Sequence, residues 1–191
     1  MPKNMKKYEI GHLKTEEIDS LLELQQENLR INLDNETIDS QGYVSFQYNP
    51  TIIKRMMADE PQIIARADNQ VVGYALVSTL GETRTIEAAI PMLDMIAQLS
   101  YKGKPCNEQR YYLVGQVCVK AGYRGQGILE AIYAEHRAQF AHRYDFAITE
   151  IAVDNGRSLA AHHRIGFETI HIFFDELNGK EWHVVAWGFK N

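Results

Sequence analysis

The order of helix and strand signals along the chain predicts a mixed α/β fold, in which helices cover both faces of a central sheet. Runs of apolar or alternating residues typical of strands are interspersed with segments whose apolar residues recur at helical spacing. In chain order the signals are a strand, helices, three strands, a helix, a strand, a helix and a strand hairpin. No repeat, low-complexity tract or flexible linker divides the chain, so we expect a single domain over residues 1–191.

The first third of the chain predicts one strand and two helices. Residues 8–13 alternate apolar and polar side chains, as a strand does. Thr15 follows in the position of a helix cap, with two glutamates suited to the positive end of the helix dipole. Residues 33–50 are polar and irregular, and a second helix is expected at 52–58. The buried face of the first helix is expected to contain Ile18, Leu21, Leu22 and Leu29.

The middle of the chain predicts a strand hairpin and then an insertion. Residues 62–67 and 71–80 are apolar strands, and residues 68–70 between them include Asp and Asn, which tolerate left-handed backbone angles. Residues 81–110 interrupt the pattern with a helix around 88–99 and a polar loop. We therefore treat residues 81–110 as an insertion within the domain.

The last part of the chain predicts two strand–helix units and a second hairpin. The helix of the second unit is expected to stop at Gly166, and the hairpin is expected to turn at Asn178-Gly179. The predicted elements are a strand at 112–120, a helix at 127–143, a strand at 145–153, a helix at 155–165 and strands at 167–174 and 182–189.

Charge and composition exclude several classes of function. The formal net charge is -5, and a mildly acidic chain is a poor candidate for binding nucleic acid, which needs a basic face. Two cysteines, Cys106 and Cys118, are too few for a zinc site or a disulfide framework, and no metal is expected. Residues 1–7 lack the apolar region of a signal peptide, and no apolar run approaches the ~18 residues that span a bilayer. We expect a cytoplasmic protein with no membrane partner.

A glycine-rich turn between a strand and a helix carries the chemical information. A strand ends at Lys120, and a helix begins near Gly127. The first amides of a helix have no internal partners and favour phosphate groups, while Gly125 lets a diphosphate approach the backbone. The Gly-Lys-Ser/Thr of a P-loop is absent, and the spacing G-x-x-G-x-G differs from the dinucleotide fingerprint. The turn therefore predicts a phosphate ligand of another kind.

Two motifs resemble those of the GNAT family, the Gcn5-related N-acetyltransferases. Residues 112–143 are similar to the family's acetyl-CoA motif, which is a strand, a glycine-rich turn and a helix. Residues 145–167 are similar to its second motif, in which Asn155 follows a strand and a helix ends in Gly-Phe. Residues 8–80 match by element order alone. The resemblance implies a mostly antiparallel central sheet flanked by helices on both faces, and transfer of an acetyl group from acetyl-CoA to an amine.

The resemblance also implies which residues hold acetyl-CoA. Backbone groups at the end of the strand would bind the pantetheine arm, as an added strand binds a sheet edge. Amides of the turn and the helix start would bind the pyrophosphate. Asn155 would contact pantetheine, and Ser158 would line the same arm. The strand residues are Val117, Cys118 and Val119, and the turn residues are Arg124, Gly125, Gln126, Gly127, Ile128 and Leu129.

Family members react by direct attack of the amine on the thioester in one ternary complex. His162 stands where many members have a tyrosine that protonates the leaving thiolate, and an imidazole can donate that proton or act as a base. A helix-surface histidine is the alternative. Glu150, which alternates with its neighbours on a strand, is a candidate general base; a solvent-facing residue is the alternative.

The acceptor and the assembly are less defined by the sequence. The resemblance implies a small-molecule or peptide amine as acceptor, bound by the early helices, residues 30–50 and residues 81–110. It is also compatible with a homodimer. Two other functions fit the same motifs: a non-catalytic acyl-CoA-binding sensor, and an acyltransferase for longer chains or for hydroxyl groups.

Overall fold

A computed structural model describes residues 7–176 and 179–189 of the chain, and these residues form the predicted mixed α/β fold. The strands are β1 (Glu9–His12), β2 (Ile63–Ala67), β3 (Gln70–Ser78), β4 (Ser100–Tyr101), β5 (Lys104–Pro105), β6 (Tyr111–Val119), β7 (Phe146–Ala152), β8 (Glu168–Asp175) and β9 (Lys180–Gly188). Seven of them form one sheet in the order β1-β2-β3-β6-β7-β9-β8. Each neighbouring pair in this sheet is antiparallel except β6 and β7, so the predicted mostly antiparallel sheet is confirmed.

Helices cover both faces of the sheet, as predicted. The helices are α1 (Ile18–Asn28), α2 (Asn35–Gln41), α3 (Pro50–Asp59), α4 (Leu80–Thr83), α5 (Ile90–Ile96), α6 (Ile128–Phe140) and α7 (Gly156–Ile165). On one face, Tyr133 and Phe140 of α6 share a buried cluster with Val185 of β9, and α7 packs against the same cluster. On the other face, Leu21 of α1 and Ile53 of α3 pack on β3.

Two local predictions for the first 50 residues were wrong. Thr15 does not cap α1; it begins a 3-10 turn that precedes α1, and the Glu17 carboxylate accepts the N–H of Lys14 at 2.8 Å. Residues 33–50 are not irregular throughout, because they contain α2. The Asp34 side chain accepts the N–H of Thr37 at 2.7 Å and so caps α2. The helix buries little apolar surface, so it lacks the repeating pattern that marks longer helices.

The segment 81–110 packs against the sheet as part of the core. It contains most of α4, all of α5 and the small β4–β5 hairpin. Leu93 and Ile96 of α5 share a buried cluster with Phe146 and Ile148 of β7. The segment thus covers the part of the sheet that α1 and α3 leave open on their face.

The turns follow the predicted backbone chemistry. Asp68 and Asn69 have positive φ angles of 49° and 61°, which confirms the hairpin between β2 and β3. Gly166 ends α7 at φ 110°, as predicted. Asn178 of the second predicted turn lies outside the described residues, whereas its neighbour Gly179 has φ 62°.

Within the described ranges, no helix combines the length and apolarity needed to cross a bilayer. The same residues contain no group of three or more His, Cys, Asp or Glu side chains that could hold a metal ion.

Candidate active site

Strands β6 and β7 pair at their beginnings and then separate. Three residue pairs join them, and the last is Leu113 opposite Ile148. Beyond it, the Thr149 hydroxyl donates a hydrogen bond to the carbonyl of Val114 at 2.9 Å. Because β6 continues to Val119 with no partner strand on this side in the described part of the chain, a gap opens in the middle of the sheet.

A bulge in β6 lies at the point of separation. Val114 pairs with Val77 and Val117 pairs with Ala75, so Gly115 and Gln116 together oppose one residue of β3. Such a bulge shifts the alternation of the strand beyond it. The residues that follow the bulge therefore present their backbone groups in a new direction.

The backbone of Val117 and Val119 faces the gap. The N–H of Lys120 donates to a carbonyl of β3 at 2.8 Å, and backbone groups alternate along a strand. Cys118 therefore also directs its backbone to β3, while its two neighbours direct theirs the opposite way. The Arg124 Nε donates to the Val119 carbonyl at 2.8 Å from the side of the gap, which agrees with this orientation.

The gap belongs to a solvent-open cleft. His162 also lines the cleft, whereas Gln126 lies outside it and donates its side-chain amide to the Gly122 carbonyl at 2.9 Å. The predicted acetyl-CoA residues that line the cleft are Val117, Cys118, Val119, Arg124, Gly125, Gly127, Ile128, Leu129, Asn155 and Ser158.

The turn before α6 has the backbone that a close-approaching anion requires. Gly125 and Gly127 have φ angles of 69° and 81°, which other residues adopt only with strain. Apart from its chain neighbours, no atom of the described residues lies within 4 Å of where a side chain would begin at Gly125. Gly127 caps α6, so the unpaired amides of the first helical turn begin here, at the edge of the cleft.

Arg124 reaches across the cleft. Its guanidinium donates to the side-chain oxygen of Gln41 at 2.6 Å and to that of Asn28 at 2.7 Å. These acceptors and the Val119 carbonyl are all neutral. Burial lowers the pKa of Arg124, and the positive charge of Arg157 acts in the same direction. The cleft thus holds a partly buried cation whose three hydrogen bonds to described residues go to uncharged oxygens, a setting that favours an added anion.

The segment 41–44, which we call the strap, crosses from Arg124 to the start of α7. Asn155, 7% exposed, donates its amide to the Tyr43 carbonyl at 2.9 Å. Its Oδ1 has no hydrogen-bond partner among the described residues. A side chain at Gly42 would begin 2.7 Å from this Oδ1. The strap therefore contacts both side chains, Arg124 and Asn155, that were predicted to bind the cosubstrate.

A charged cluster holds the strap on the other side. The Tyr43 hydroxyl donates to Asp154, which also pairs with Arg30 at 3.2 Å and with Lys180 of β9. The carboxylate thus joins the strap, the 3-10 turn that follows α1 and the last hairpin at one point.

His162 is 2% exposed, and both of its ring nitrogens are occupied. Its Nδ1 lies 2.8 Å from the Ser158 carbonyl, which can only accept, so Nδ1 carries the proton. Its Nε2 lies 2.8 Å from the Tyr133 hydroxyl and accepts from it. Burial lowers the pKa of His162 to about 4. In this arrangement the imidazole is neutral and offers no proton to the cleft.

Glu150 lies on β7 one residue beyond Thr149, where the strands have separated. One carboxylate oxygen, Oε1, is buried and has no hydrogen-bond partner in the described part of the chain. Burial raises the pKa of Glu150 to about 7, and the negative charge of Asp175 adds to the shift. A carboxyl group with this pKa can accept and return a proton near neutral pH.

Sequence reasoning missed the strap and the other basic residues of the cleft. Arg157 and Arg164 line it from α7. They are seven residues apart and so share one face of a helix, a spacing that could have identified them. The strap lies in the segment 33–50, whose polar composition carries no recognisable ligand motif.

Comparisons with known proteins agree with this geometry. The family model "Acetyltransferase (GNAT) family" matches residues 19–167. No curated protein sequence matches the chain. Similar solved structures share its fold at low sequence identity. The ribosomal-protein-S18-alanine N-acetyltransferase of Escherichia coli is 12% identical with a TM-score of 0.63, covering 97% of this chain and 96% of its own.

Two further structures extend the likeness. Ard1 from Thermoplasma volcanium is 11% identical with a TM-score of 0.65, and the match covers 96% of this chain and 99% of Ard1. The yncA protein of Salmonella typhimurium, solved with its cofactor acetyl-CoA, is 11% identical with a TM-score of 0.60, covering 96% and 95% of the two chains. The family match spans most of the sequence, so the chain belongs to the GNAT acetyltransferase family.

Proposed function

We propose that this GNAT acetyltransferase moves an acetyl group from acetyl-CoA to an amine by direct attack in a ternary complex. The observation that carries the proposal is the gap between β6 and β7. The start of α6 lies at the cleft beside this gap, and Glu150, whose pKa is raised to about 7, lies on β7 just beyond the last β6–β7 pair. A thioester lying in the gap would therefore meet both its anchor and a base.

The cleft suits acetyl-CoA at three places. The first amides of α6 and the Arg124 guanidinium would bind the pyrophosphate, because both favour anions. The outward-facing backbone of Val117 and Val119 would pair with the pantetheine amides, as an added strand does. The buried Oδ1 of Asn155, which has no partner in the described residues, would accept an amide N–H of the same arm.

The reaction needs one base and one oxyanion donor. The amine nitrogen forms a bond to the thioester carbon, the carbon–sulfur bond breaks, and the electron pair leaves with sulfur. Glu150 takes the proton released by the amine, directly or through water. A backbone N–H of the strand that contains Val117 and Val119 would stabilise the oxyanion.

Protonation of the leaving thiolate does not require His162. A thiol has a pKa of about 8.5, so a thiolate is a stable leaving group near neutral pH and can take its proton from water. His162 would have to break both of its hydrogen bonds to act as an acid. We propose that His162 positions α7 through these two hydrogen bonds.

The test is release of free coenzyme A from acetyl-CoA in the presence of a panel of primary amines. We expect amine-dependent release in the wild type. Glu150→Gln should lower kcat by about a hundredfold or more, which is the usual contribution of a general base. Its acetyl-CoA affinity, measured by calorimetry, should be unchanged. Glu181→Gln, an exposed strand glutamate, is the matched control. Equal turnover in the wild type and Glu150→Gln would remove Glu150 from the mechanism.

A non-catalytic acyl-CoA-binding sensor is the second candidate. The observation that favours it is His162, because the usual position of the thiolate acid holds a neutral, fully bonded imidazole. The same assay separates the two functions. Acetyl-CoA binding without amine-dependent release across the panel would support the sensor.

A further inference from the structure

Four buried side-chain atoms have no hydrogen-bond partner among the described residues, and two of these atoms lie on the neighbouring strands β7 and β9. The two are Oε1 of Glu150 and Nε1 of Trp182. A buried polar group without a partner costs about 1–3 kcal/mol, and such groups are rare in native structures. Their proximity on one surface calls for a common explanation.

The two residues share one face of the sheet. In the register of β7 and β9, Glu150 lies opposite Val184, and Trp182 lies opposite Ala152. Trp182 is two residues from Val184, the partner of Glu150, so Glu150 and Trp182 are diagonal neighbours on the sheet. The Cβ atoms of such neighbours are about 7–8 Å apart or less. A ligand only a few bonds long would span the distance between the two side chains.

This face is the one opposite α6 and α7. Ile148, two residues before Glu150, packs with the segment 81–110. Ala152, two residues after it, packs with Trp182 and with Tyr43 of the strap. Glu150 therefore lies at the seam between the two segments that cover this face, next to the place where β6 and β7 separate. An acceptor entering at this seam would reach the thioester from the side away from α6.

The chemistry of the two atoms restricts what the ligand carries. An indole N–H donates and cannot accept, so it requires an oxygen acceptor. A carboxylate base requires an N–H, and the negative charge of Asp175 nearby disfavours acidic ligands. Both demands are met by a primary amine with an oxygen on the carbon next to the one that bears nitrogen.

We propose that Trp182 determines acceptor specificity, and that the acceptor is a primary amine bearing a carbonyl or hydroxyl oxygen two carbons from its nitrogen. The inference rests on the proposed acetyl transfer. Glu150 receives the amine, and Trp182 donates its N–H to the oxygen. An alkylamine of equal size would leave the indole N–H buried without a partner, which lowers its affinity.

The first experiment compares kcat/KM for three probes of similar size: glycinamide, 2-aminoethanol and propylamine. Trp182→Phe keeps an aromatic ring and removes the N–H. We expect this variant to lose about tenfold of the wild-type preference for at least one oxygen-bearing probe over propylamine, as one hydrogen bond predicts. Each preference is a ratio of two kcat/KM values, and comparing this ratio between the wild type and Trp182→Phe cancels the different basicities of the amines. If the preference for glycinamide falls, the natural acceptor bears a carbonyl; if the preference for 2-aminoethanol falls, it bears a hydroxyl.

A matched control tests whether substitution in the β8–β9 hairpin affects activity by disturbing the hairpin. Phe174 lies on β8 and is 62% exposed, and it pairs with Glu181, so it occupies the opposite face from Trp182. Phe174→Leu should leave all three kcat/KM values within a factor of about two, because a surface substitution away from the seam is close to neutral. If Trp182→Phe lowers kcat/KM equally for all three probes, or leaves the preference unchanged, Trp182 does not determine acceptor specificity. Neither result would contradict the proposed acetyl transfer.

A second measurement is independent of turnover. The chain has two tryptophans, Trp182 and Trp187, so the two indole N–H signals are assigned by one substitution. In protein saturated with coenzyme A, glycinamide or 2-aminoethanol should shift the Trp182 signal, and propylamine should not. That shift without any turnover would uphold the subsite and refute acetyl transfer. No shift with either oxygen-bearing probe would refute the subsite.

Discussion

The Tyr133 hydroxyl lies 2.8 Å from Nε2 of His162, and this contact sets the imidazole as an acceptor on the side that faces α6. The Ser158 carbonyl fixes the only proton of the ring at Nδ1. A family position that often supplies an acid is thus occupied by a buried, neutral group. Its main contribution is expected to be to stability.

Replacing His162 by Ala should lower the free energy of unfolding by about 2–4 kcal/mol. The change opens a cavity and leaves the buried Tyr133 hydroxyl without its acceptor. Denaturant unfolding measures the loss. Tyr133→Phe removes the same hydrogen bond without a large cavity and should cost about 1 kcal/mol. If His162→Ala instead keeps its stability but loses turnover with acetyl-CoA affinity intact, the imidazole has a catalytic role.

Stability should fall as the pH drops from about 6.5 to about 4. Burial lowers the pKa values of both His136 and His162 to about 4, whereas an unfolded histidine has a pKa of about 6.5. In this window the two histidines bind more protons in the unfolded chain, which makes stability rise with pH, while the raised pKa of Glu150 opposes about half of this effect. Each histidine contributes up to about 1.4 kcal/mol per pH unit.

The test of this pH dependence compares unfolding free energies from pH 4 to 7 in the wild type and in His162→Gln. We expect the variant to show a shallower slope by about one proton per molecule. An identical slope in both proteins would show that His162 is protonated in the folded state, or that it does not titrate differently on unfolding.

Charge reversal at Arg124 should weaken acetyl-CoA binding by about 2–4 kcal/mol, because charge-assisted hydrogen bonds to phosphate are lost and a repulsion is added. Isothermal calorimetry measures the change. Arg84→Glu, on an arginine whose side chain is 55% exposed, makes the same change in net charge elsewhere and should have no effect. Unchanged affinity in Arg124→Glu would place the pyrophosphate outside the turn.

Gly42→Ala should weaken both the fold and acetyl-CoA binding. Gly42 has φ 72°, and an added Cβ would lie 2.7 Å from Oδ1 of Asn155. Gly103→Ala is the matched control, since Gly103 has φ 77° and, beyond its chain neighbours, the described residues place no atom within 4 Å of the added carbon. Both variants should lose about 1 kcal/mol of stability from backbone strain. Only Gly42→Ala should also reduce acetyl-CoA affinity, and equal affinities would exclude a role for this contact.

The rate of acetyl transfer should rise with pH through about 7 if Glu150 is the base. The pKa of Glu150 is raised to about 7, so its carboxylate form becomes dominant above that pH. In the wild type we expect kcat to rise as the pH increases through about 7. In Glu150→Gln this rising limb of the kcat–pH profile should be absent. A limb that persists unchanged in the variant would belong to another group.

The sequence determined the elements that local chemistry controls. Strand runs and helical spacing predicted the sheet and its layers, and Asp68-Asn69 predicted a hairpin that the positive φ angles confirm. The glycines before α6 predicted a helix start with exposed amides, since glycine alone adopts those backbone angles without strain. These features depend on neighbours in the chain, which a sequence displays directly.

The tertiary structure decided which distant groups meet. Burial of His162 against Tyr133, the contact of the strap with Arg124 and Asn155, and the unpartnered atoms of Glu150 and Trp182 all join residues far apart in the chain. The pKa of a side chain depends on its burial and its partners, which periodicity does not reveal. The sequence therefore predicted a cleft for an anion, and the fold decided which of its side chains can move a proton.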